Sequence, residues 1–436
     1  MRRGWMAVAA ATMTVLTACS SSGSGGSAEA TAPGDPAGVT GEITVLTNRT
    51  DQISDGTLKK YAAEFAKVYP GVTVKFEGLT DYEGETKIRM NTENYGDVLL
   101  IPNSLSVSQY PTFFAPLGNS SELSEKFDYT DHATVSDKVY GLANIGVANG
   151  FVYNKAVWAQ AGITEWPTTP AQFVEDLKAV KARTGATPYY TNYKDGWPLT
   201  NWTNALGSPS CDFKAHDALA TTAEPWAAGK DMYAIDKLLF DVVHEKLTEA
   251  DPTTSNWEQS KTLIGSGKVG SMWLGSWAIS QMQAAAKAAG QDPANIGFMP
   301  FPAQVDGHFC SVLRPDYQYA VNVHSKHKEA ARAWIDWFLT KSGSAAAEGS
   351  ISAVKGTELP ATLQPFKEKS VRFIPEAQER TAEVNKIDKA SEIGITAQDY
   401  RQRLVDVARG SAGGGAESFF KDLNKKWSEA QQTIGG

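Results

Sequence analysis

Three of the 436 residues are cysteine and six are histidine, so thiol and imidazole chemistry has little to build on. The histidines are scattered (His132, His216, His244, His308, His324 and His327), and neither H-E-x-x-H nor C-x-x-C occurs, which removes the common zinc-hydrolase and dithiol motifs. The stretch Ile264–Gly270 (IGSGKVG) has the look of a phosphate loop. Valine follows Lys268 where Ser or Thr is needed, however, and position 262 is not glycine. Positive charge is short as well: 41 Lys and Arg face 49 Asp and Glu, a formal net charge of −8. An acidic surface suits neither nucleic acid nor an anionic lipid face. Internal repeats are absent, and the one extended apolar run, Gly4–Ala18, is shorter than the about 20 residues of a membrane span.

That run fits an export signal. Met1-Arg2-Arg3 is a positive n-region ahead of it. It ends in Leu16-Thr17-Ala18-Cys19, which resembles a bacterial lipobox and so implies cleavage before Cys19 and lipid on its sulfur. Such an anchor tethers without spanning; an ordinary signal peptide with a chance cysteine is the plainer alternative. Residues 19–40 are nearly all Ser, Gly, Ala and Pro, the composition of a flexible coil. The expected layout is a signal over 1–18, a leash over 19–40 and a body of about 395 residues, enough for two domains. Loss of residues 1–18 removes two arginines and takes the balance to 39 − 49 = −10. With Cys19 lipidated, Cys211 and Cys310 remain. Outside the cytoplasm they permit one disulfide, which over so long a loop contributes about 4–5 kcal/mol in the chain-entropy model; two buried free thiols are the other possibility.

The body alternates strand and helix signals. Gly41–Leu46 reads as an apolar strand, Leu58, Tyr61, Phe65 and Val68 as the stripe of a helix, and Val72, Val74 and Phe76 as a half-buried strand. Pro70-Gly71 stops the helix. Asp97–Ile101 is continuously apolar after its first residue, as a strand covered on both faces would be. Thr169 before Pro170, with Gly185 behind, marks another helix. Ile296–Phe301 and Tyr319–Val323 read as strands, while Ala330–Phe338 and Phe420–Trp427 carry helical spacing. The order predicts an α/β fold with largely parallel sheets flanked by helices.

Seven collinear pieces then resemble the extracellular solute-binding proteins of bacterial carbohydrate ABC importers, the maltose-binding-protein-like group. They are the lipobox, Leu58–Glu77, Gly96–Pro102, Tyr140–Ile163 with Trp166–Phe173, Gly267–Trp277, Ile296–Pro302 and Ser325–Thr340. The resemblance implies a type II-like pair of α/β lobes with the ligand cleft between them. The expected first lobe is 41–147 with 317–355, and the second is 148–316 with 356–436. Crossings are expected near Ile145–Asn149, Leu313–Tyr317 and Ser352–Pro360. It also implies a monomer on the outer face of the cell membrane, held by its lipid alone. Such a protein binds a sugar or oligosaccharide, needs no cofactor or metal, and delivers to permease subunits driven by a separate ATPase.

Sugar rings offer an apolar face and a rim of hydroxyls, so a matching site needs an aromatic plane and fixed polar side chains. In the stretch Gly270–Gln281, Trp277 occupies the family's Gly-Ser-Trp position and is expected to stack on ligand, with Gly275 leaving the ring face open. Trp273 reads as core. By the register of Trp-Pro-Leu, Asn192, Tyr193 and Trp197 are further expected contacts, although an acidic residue stands in maltose-binding protein where Asn192 stands here. Asn48 and Asp51 follow the first strand and Asn103 follows the third, which makes them polar candidates on the first lobe; Asp51 or Ser54 capping a helix is the bland reading. Asp316 is the candidate on the second crossing, against a surface pair with Arg314. Two rival functions stand beside this one. A cationic ligand such as a polyamine would call for carboxylates in place of tryptophans. An exported glycan-active enzyme needs two spaced acids, and an acidic chain always supplies candidates.

Overall fold

The structure is a computed structural model describing residue 1, residues 29–377 and residues 379–435. Cys19 lies outside them. In the first sheet, Gly41–Thr47 pairs in parallel with Val72–Gly78 along its whole length, and with Val98–Leu100 at Val45 against Val98. Gln318–Asn322 joins Val98–Leu100 antiparallel and carries Phe114–Ala115 and Leu142–Ala143 on its other side. The stripe on helix Thr57–Val68 buries Leu58, Tyr61 and Phe65. Phe65 meets Trp334 edge-on at 5.3 Å and Tyr61 meets Phe338 at 5.5 Å, both on helix Lys328–Thr340. These residues belong to one apolar core.

A second core surrounds strand Ile145–Asn154, nine of whose ten residues are buried. Phe151 at its middle packs against Phe173 (4.4 Å), Trp273 (4.9 Å) and Trp202 (5.7 Å). The strand pairs antiparallel with Val269–Gly275, Ile296–Met299, His308–Pro315 and Ile351–Ser352. Helix Pro170–Arg183 starts as its sequence predicts, with Thr169 Oγ1 accepting the Gln172 N–H. Beneath the surface of this lobe, Asp236 and Arg401 form a fully buried ion pair (2.9 Å), with Trp226, Tyr400 and Thr203 satisfying further atoms of the two.

Three segments pass between the sheets. Leu142–Ala143 belongs to the first and Ile145–Asn154 to the second; His308–Pro315 belongs to the second and Gln318–Asn322 to the first. Asn144 donates to the Tyr317 carbonyl (2.8 Å) and Asp316 to the Ile145 carbonyl (2.9 Å), so these two crossings are tied to each other. The third follows Ile351–Ser352, where Phe127 and Val354 form a bridge back to the first lobe. Gly146 pairs with both Pro315 and Ile351. A side chain there would run into the Tyr129 ring, within 3.0 Å of its Cζ, so the crossing needs glycine.

Three expectations require correction. Residues 29–40 do not behave as leash: Ala30 and Val39 are buried in the first core, Ala30 donates to Pro116 O (2.9 Å), and Glu29 pairs with Lys138. Two apolar side chains among the small residues, with that bond and ion pair, hold the segment to the lobe. The sheets are mixed, and in the second lobe antiparallel pairs predominate, because Ile145–Asn154, the strand at its centre, runs opposite to all four strands it pairs with. Neither Asp51 nor Ser54 caps the helix at Thr57. Both lie in a separate turn, Thr50–Ser54, and the Thr57 N–H is taken by Asp55. No helix of the described residues is long and apolar enough to cross a membrane.

Removing one partner of a buried pair strands the other charge, at a cost of about 3–5 kcal/mol. Asp236→Ala is therefore expected to lower the unfolding free energy by that amount in urea titrations followed by tryptophan fluorescence. A loss below about 1 kcal/mol, the size of an ordinary surface change, would show that Arg401 finds other partners.

Candidate ligand-binding site

Strand Val269–Gly275 is buried throughout and stops where Ser276 turns back on the neighbouring strand, donating its N–H to Ala148 O (2.8 Å). Trp277 follows at the start of helix Ala278–Ala288. Its indole lies across Gly275: a Cβ there would fall 2.6 Å from the indole Cδ1 and 2.6 Å from Val147 Cγ1. Gly275 has no positive φ. It is glycine because a ring rests on it, not because the turn is sharp or the ring face must be cleared. Trp273, earlier in the strand, is 1 % exposed with its indole N–H bound to Asn201 O (2.8 Å), and belongs to the core. The two tryptophans of this stretch thus divide between packing and a partly open surface.

Trp277 is not alone there. Trp197 opens helix Trp197–Thr200, and Trp257 opens helix Trp257–Gly265. The three rings are all half-buried and touch one another, with centroids 5.0 Å apart for Trp197 and Trp257, 5.7 Å for Trp257 and Trp277, and 6.0 Å for Trp197 and Trp277. Trp257 was not among the residues expected from sequence. It lies 60 residues from Trp197 and in no shared motif; its one local sign was an aromatic next to a capping Asn, and Asn256 does cap the helix.

Asn192 and Tyr193 stand behind this trio. Asn192 is fully buried with φ 55°, a backbone region asparagine tolerates, and its amide reaches Ser260 Oγ (3.4 Å). The Tyr193 hydroxyl donates to Asp406 at 3.0 Å, and its carbonyl accepts from Gln402 (2.7 Å). Thr191 binds Glu249 through both its N–H and its hydroxyl, and Asp195 accepts the Trp257 N–H. Burial raises the Glu249 pKa, opposed by these Thr191 bonds. Together these bonds fasten the turn carrying Trp197 to the segment carrying Trp257.

The polar candidates of the first lobe gather differently. Arg49, in the loop after the first strand, holds Asp51 through two bonds (2.9 and 2.8 Å) and Glu348 through a third (2.7 Å). Buried Gln52 donates to the other Glu348 oxygen (2.8 Å). Burial alone would lower the Arg49 pKa; Asp51 and Glu348 outweigh it and raise it. Glu348 and Gln52 had no sequence signal, since a contact across 296 residues leaves none in local patterning. Asn48 is half-buried beside Arg49 in the chain. Asn103 is exposed and its backbone N–H donates to Glu83 (3.0 Å), which also accepts from the Tyr317 hydroxyl (2.9 Å). Asp316 lies on the second crossing with its carboxyl pushed up to about 6, chiefly by burial; Tyr317 N–H and Arg49 oppose this and Glu348 adds to it. Arg314 pairs with Glu376 and Asn204, so it makes no ion pair with Asp316.

Two half-open hollows lie elsewhere. One of about 430 Å³ is lined by Glu379, Arg380, Lys386 and Gln431 among others, and one of about 230 Å³ by Tyr153, Trp158, Glu165 and Trp166. Neither includes a candidate residue. The convergence of half-exposed aromatic and polar groups is the better guide to a groove between lobes. Among the described residues no group of His, Cys, Asp and Glu is arranged to hold a metal.

Residues 50–345 match the family model for bacterial extracellular solute-binding proteins, about two thirds of the chain. The chain belongs to that family. Among solved structures, a binding protein of an ABC transporter from Bifidobacterium animalis subsp. lactis, in complex with mannobiose, is 32% identical, covers 91% of this chain and 95% of its own, and superposes with a TM-score of 0.83. A manno-oligosaccharide-specific solute-binding protein from the same organism, in complex with mannotriose, is 29% identical over the same shares, with a TM-score of 0.84. The multiple sugar-binding protein of Streptococcus mutans is 24% identical over 72% of this chain and 76% of its own. The two-lobe fold of these solute-binding proteins is therefore the fold of this chain, and the family is one of extracellular binding proteins.

Asp316 gives this solute-binding protein a pH signature. Its carboxyl titrates near 6 when folded, against about 3.9 in an unfolded chain, so folding favours the protonated form. The stabilising effect of that proton is complete below about pH 4 and lost as pH rises through about 6. Asp316→Asn should raise Tm at about pH 7.5 and leave it unchanged near pH 4. An equal gain at both values would mean that the carboxyl is not the titrating group.

Proposed function

We propose that this protein captures an oligosaccharide between its lobes and presents it to the permease of an ABC importer, with a manno-oligosaccharide as the favoured ligand. The observation that carries the reading is the meeting of Trp197, Trp257 and Trp277, half-buried and in mutual contact, on one wall. Rings that brace one another offer fixed planes to the C–H faces of sugars at little entropic cost. On the other wall Asp51, Glu348 and Asp316, with Asn48 and Asn103 nearby, supply acceptors and donors for hydroxyls. A polyamine is disfavoured because Arg49 is paired with both Asp51 and Glu348, which leaves the three with one net negative charge in place of two bare carboxylates. No step of chemistry is assigned to the site.

In this reading the lobes comprise residues 41–147 with 317–355 and 148–316 with 356–436, and they close on the ligand by bending at the three crossings. The mature protein acts as a monomer on the outer face of the membrane, anchored through lipid on Cys19 and carrying a Cys211–Cys310 disulfide. The close approach of those two residues, with Cα atoms 5.4 Å apart, supports the bridge. Reduction of the purified protein should then lower its stability, whereas two titratable thiols in unreduced material would refute the bridge.

Titration calorimetry and thermal shift of protein lacking residues 1–19 test the function. Mannobiose and mannotriose are expected to bind and raise Tm, spermidine to do neither. Trp277→Ala and Trp257→Ala are each expected to weaken sugar binding by about 2–4 kcal/mol, as loss of a buried aromatic anchor does. A collapse of Tm with sugar affinity intact would make the rings core instead, and stabilisation by spermidine alone would favour the cationic reading.

A further inference from the structure

The stretch Tyr153–Trp166 lies within the pieces that resemble the solute-binding family, yet its rings do not touch the tryptophan trio. They pack on one another and on Phe173, Phe309 and Phe366 instead. Strand Ile145–Asn154 passes beside Gly275 at Val147, and Tyr153, opposite Ser271, stands six residues further along it. That spacing puts Tyr153 roughly 20 Å from the Trp277 end of the strand. Here lies the half-open hollow of about 230 Å³, with Tyr153, Trp158, Ile163 and Trp166 among its walls and Lys155 and Glu165 at its rim.

The walls present carbon. The Trp158 N–H is taken by Gly270 O (3.1 Å) and the Trp166 N–H by the Tyr153 hydroxyl (3.2 Å), so each indole uses its one polar atom within the protein. Glu165 is paired with Lys369 at 2.8 Å, and that ammonium lies 5.3 Å from the centre of the Trp166 ring. Besides the Thr164 hydroxyl on the exposed rim, two polar groups are left. The Tyr153 hydroxyl accepts from Trp166, and among the described residues nothing accepts its own proton. Burial raises its pKa, so that proton stays in place at neutral pH. The Lys155 ammonium has no ion-pair partner among the described residues. Its stem lies beside the Tyr153 ring: a Cβ at Gly297 would fall 2.6 Å from Tyr153 Cε1 and 3.0 Å from Lys155 Cγ.

Apolar walls with a few placed polar groups are how small-molecule sites are built. One phenol donor and one cation without a counter-ion complement a flat apolar body with an anionic head. A sugar ring fits poorly, because its hydroxyls outnumber these donors and each one buried unpaired costs about 1–3 kcal/mol. We infer that this hollow is a binding site for a small aromatic carboxylate, its ring among Tyr153, Trp158, Ile163 and Trp166 and its carboxylate accepting from Lys155 and the Tyr153 hydroxyl. All four walls belong to the second core or pack against it, so filling the hollow requires nothing of the cleft.

The test is calorimetry of the purified protein with indole-3-propionate and with the uncharged indole-3-propanol. The acid is expected to bind about tenfold more tightly than the alcohol, the ratio that a hydrogen bond to a charged group gives. Lys155→Met keeps an apolar stem and removes the charge, and is expected to bring the acid down to the affinity of the alcohol. Ala159→Trp, at an exposed position lining the hollow, fills its mouth and is expected to abolish binding of both with circular dichroism unchanged. No binding of the acid to wild type, or a preference for it that survives Lys155→Met, overturns the site. Binding that persists in Ala159→Trp places the ligand elsewhere and overturns it as well.

Discussion

The backbone of residues 145–154 is the constraint on which this structure depends. That strand pairs with four others, and a strand so enclosed has to be apolar on both faces, as this one nearly is. Its first residues are also a crossing between lobes, where Gly146 passes under Tyr129. Its middle supports the Gly275 position on which Trp277 rests, through Val147 and Asn149. At its last residue, Asn154 caps the next helix and donates to Ile264 O (2.9 Å). Crossing, site floor and core are consecutive stretches of one rigid element. In the closure proposed above, the beginning of this strand, with its glycine and the Asp316 and Asn144 backbone bonds, is where movement is absorbed.

The two walls of the cleft are built on opposite physical principles. The second-lobe wall presents aromatic planes whose orientations are fixed by contact with one another and by turns locked through Glu249, Asp406 and Asp195. The first-lobe wall presents charge, but charge already paired: Arg49 satisfies two carboxylates at once, and a guanidinium fork suits that task better than a lysine. A neutral ligand with many hydroxyls can use both walls without displacing an ion. An anionic ligand would meet a cluster that keeps one net negative charge, since Arg49 is shared by Asp51 and Glu348.

Much of the fold was legible because it is written in local pattern. The stripe Leu58–Phe65, the continuous strand near Val98–Leu100 and the Thr169 cap all depend on spacing within a few residues. Strand direction in the second lobe was not legible, since it depends on which distant strands pair with Ile145–Asn154. Burial of Ala30 and Val39 was hidden by composition: two apolar residues in a run of small ones do not change its average, though with a hydrogen bond and an ion pair they hold it to the lobe. The site divided along the same line. Trp197 and Trp277 stood in motifs, whereas Trp257, Glu348 and Gln52 enter through contacts across large separations. Asn192 and Tyr193 were visible as polar groups in an aromatic stretch. Whether such groups face a cleft or a neighbouring helix is decided by Asp406 and Ser260, far away in the chain.

The charge cluster on the first lobe bears on the acid at the second crossing, Asp316, which is half-buried. Asp316 lies in the field of Glu348, and a neighbouring negative charge adds to the cost of ionising it. Arg49 offsets part of that cost, yet its own bonds go to Asp51 and Glu348, so Asp316 receives only its distant field and the Tyr317 N–H. Arg49 follows the first strand, Glu348 stands three residues before the third crossing strand, and Asp316 is on the second crossing. One guanidinium thus acts on the loop after the first strand and on two of the three crossing segments. With its partners placed in that way, a shift of Arg49 changes the field at Asp316 and at Glu348 together.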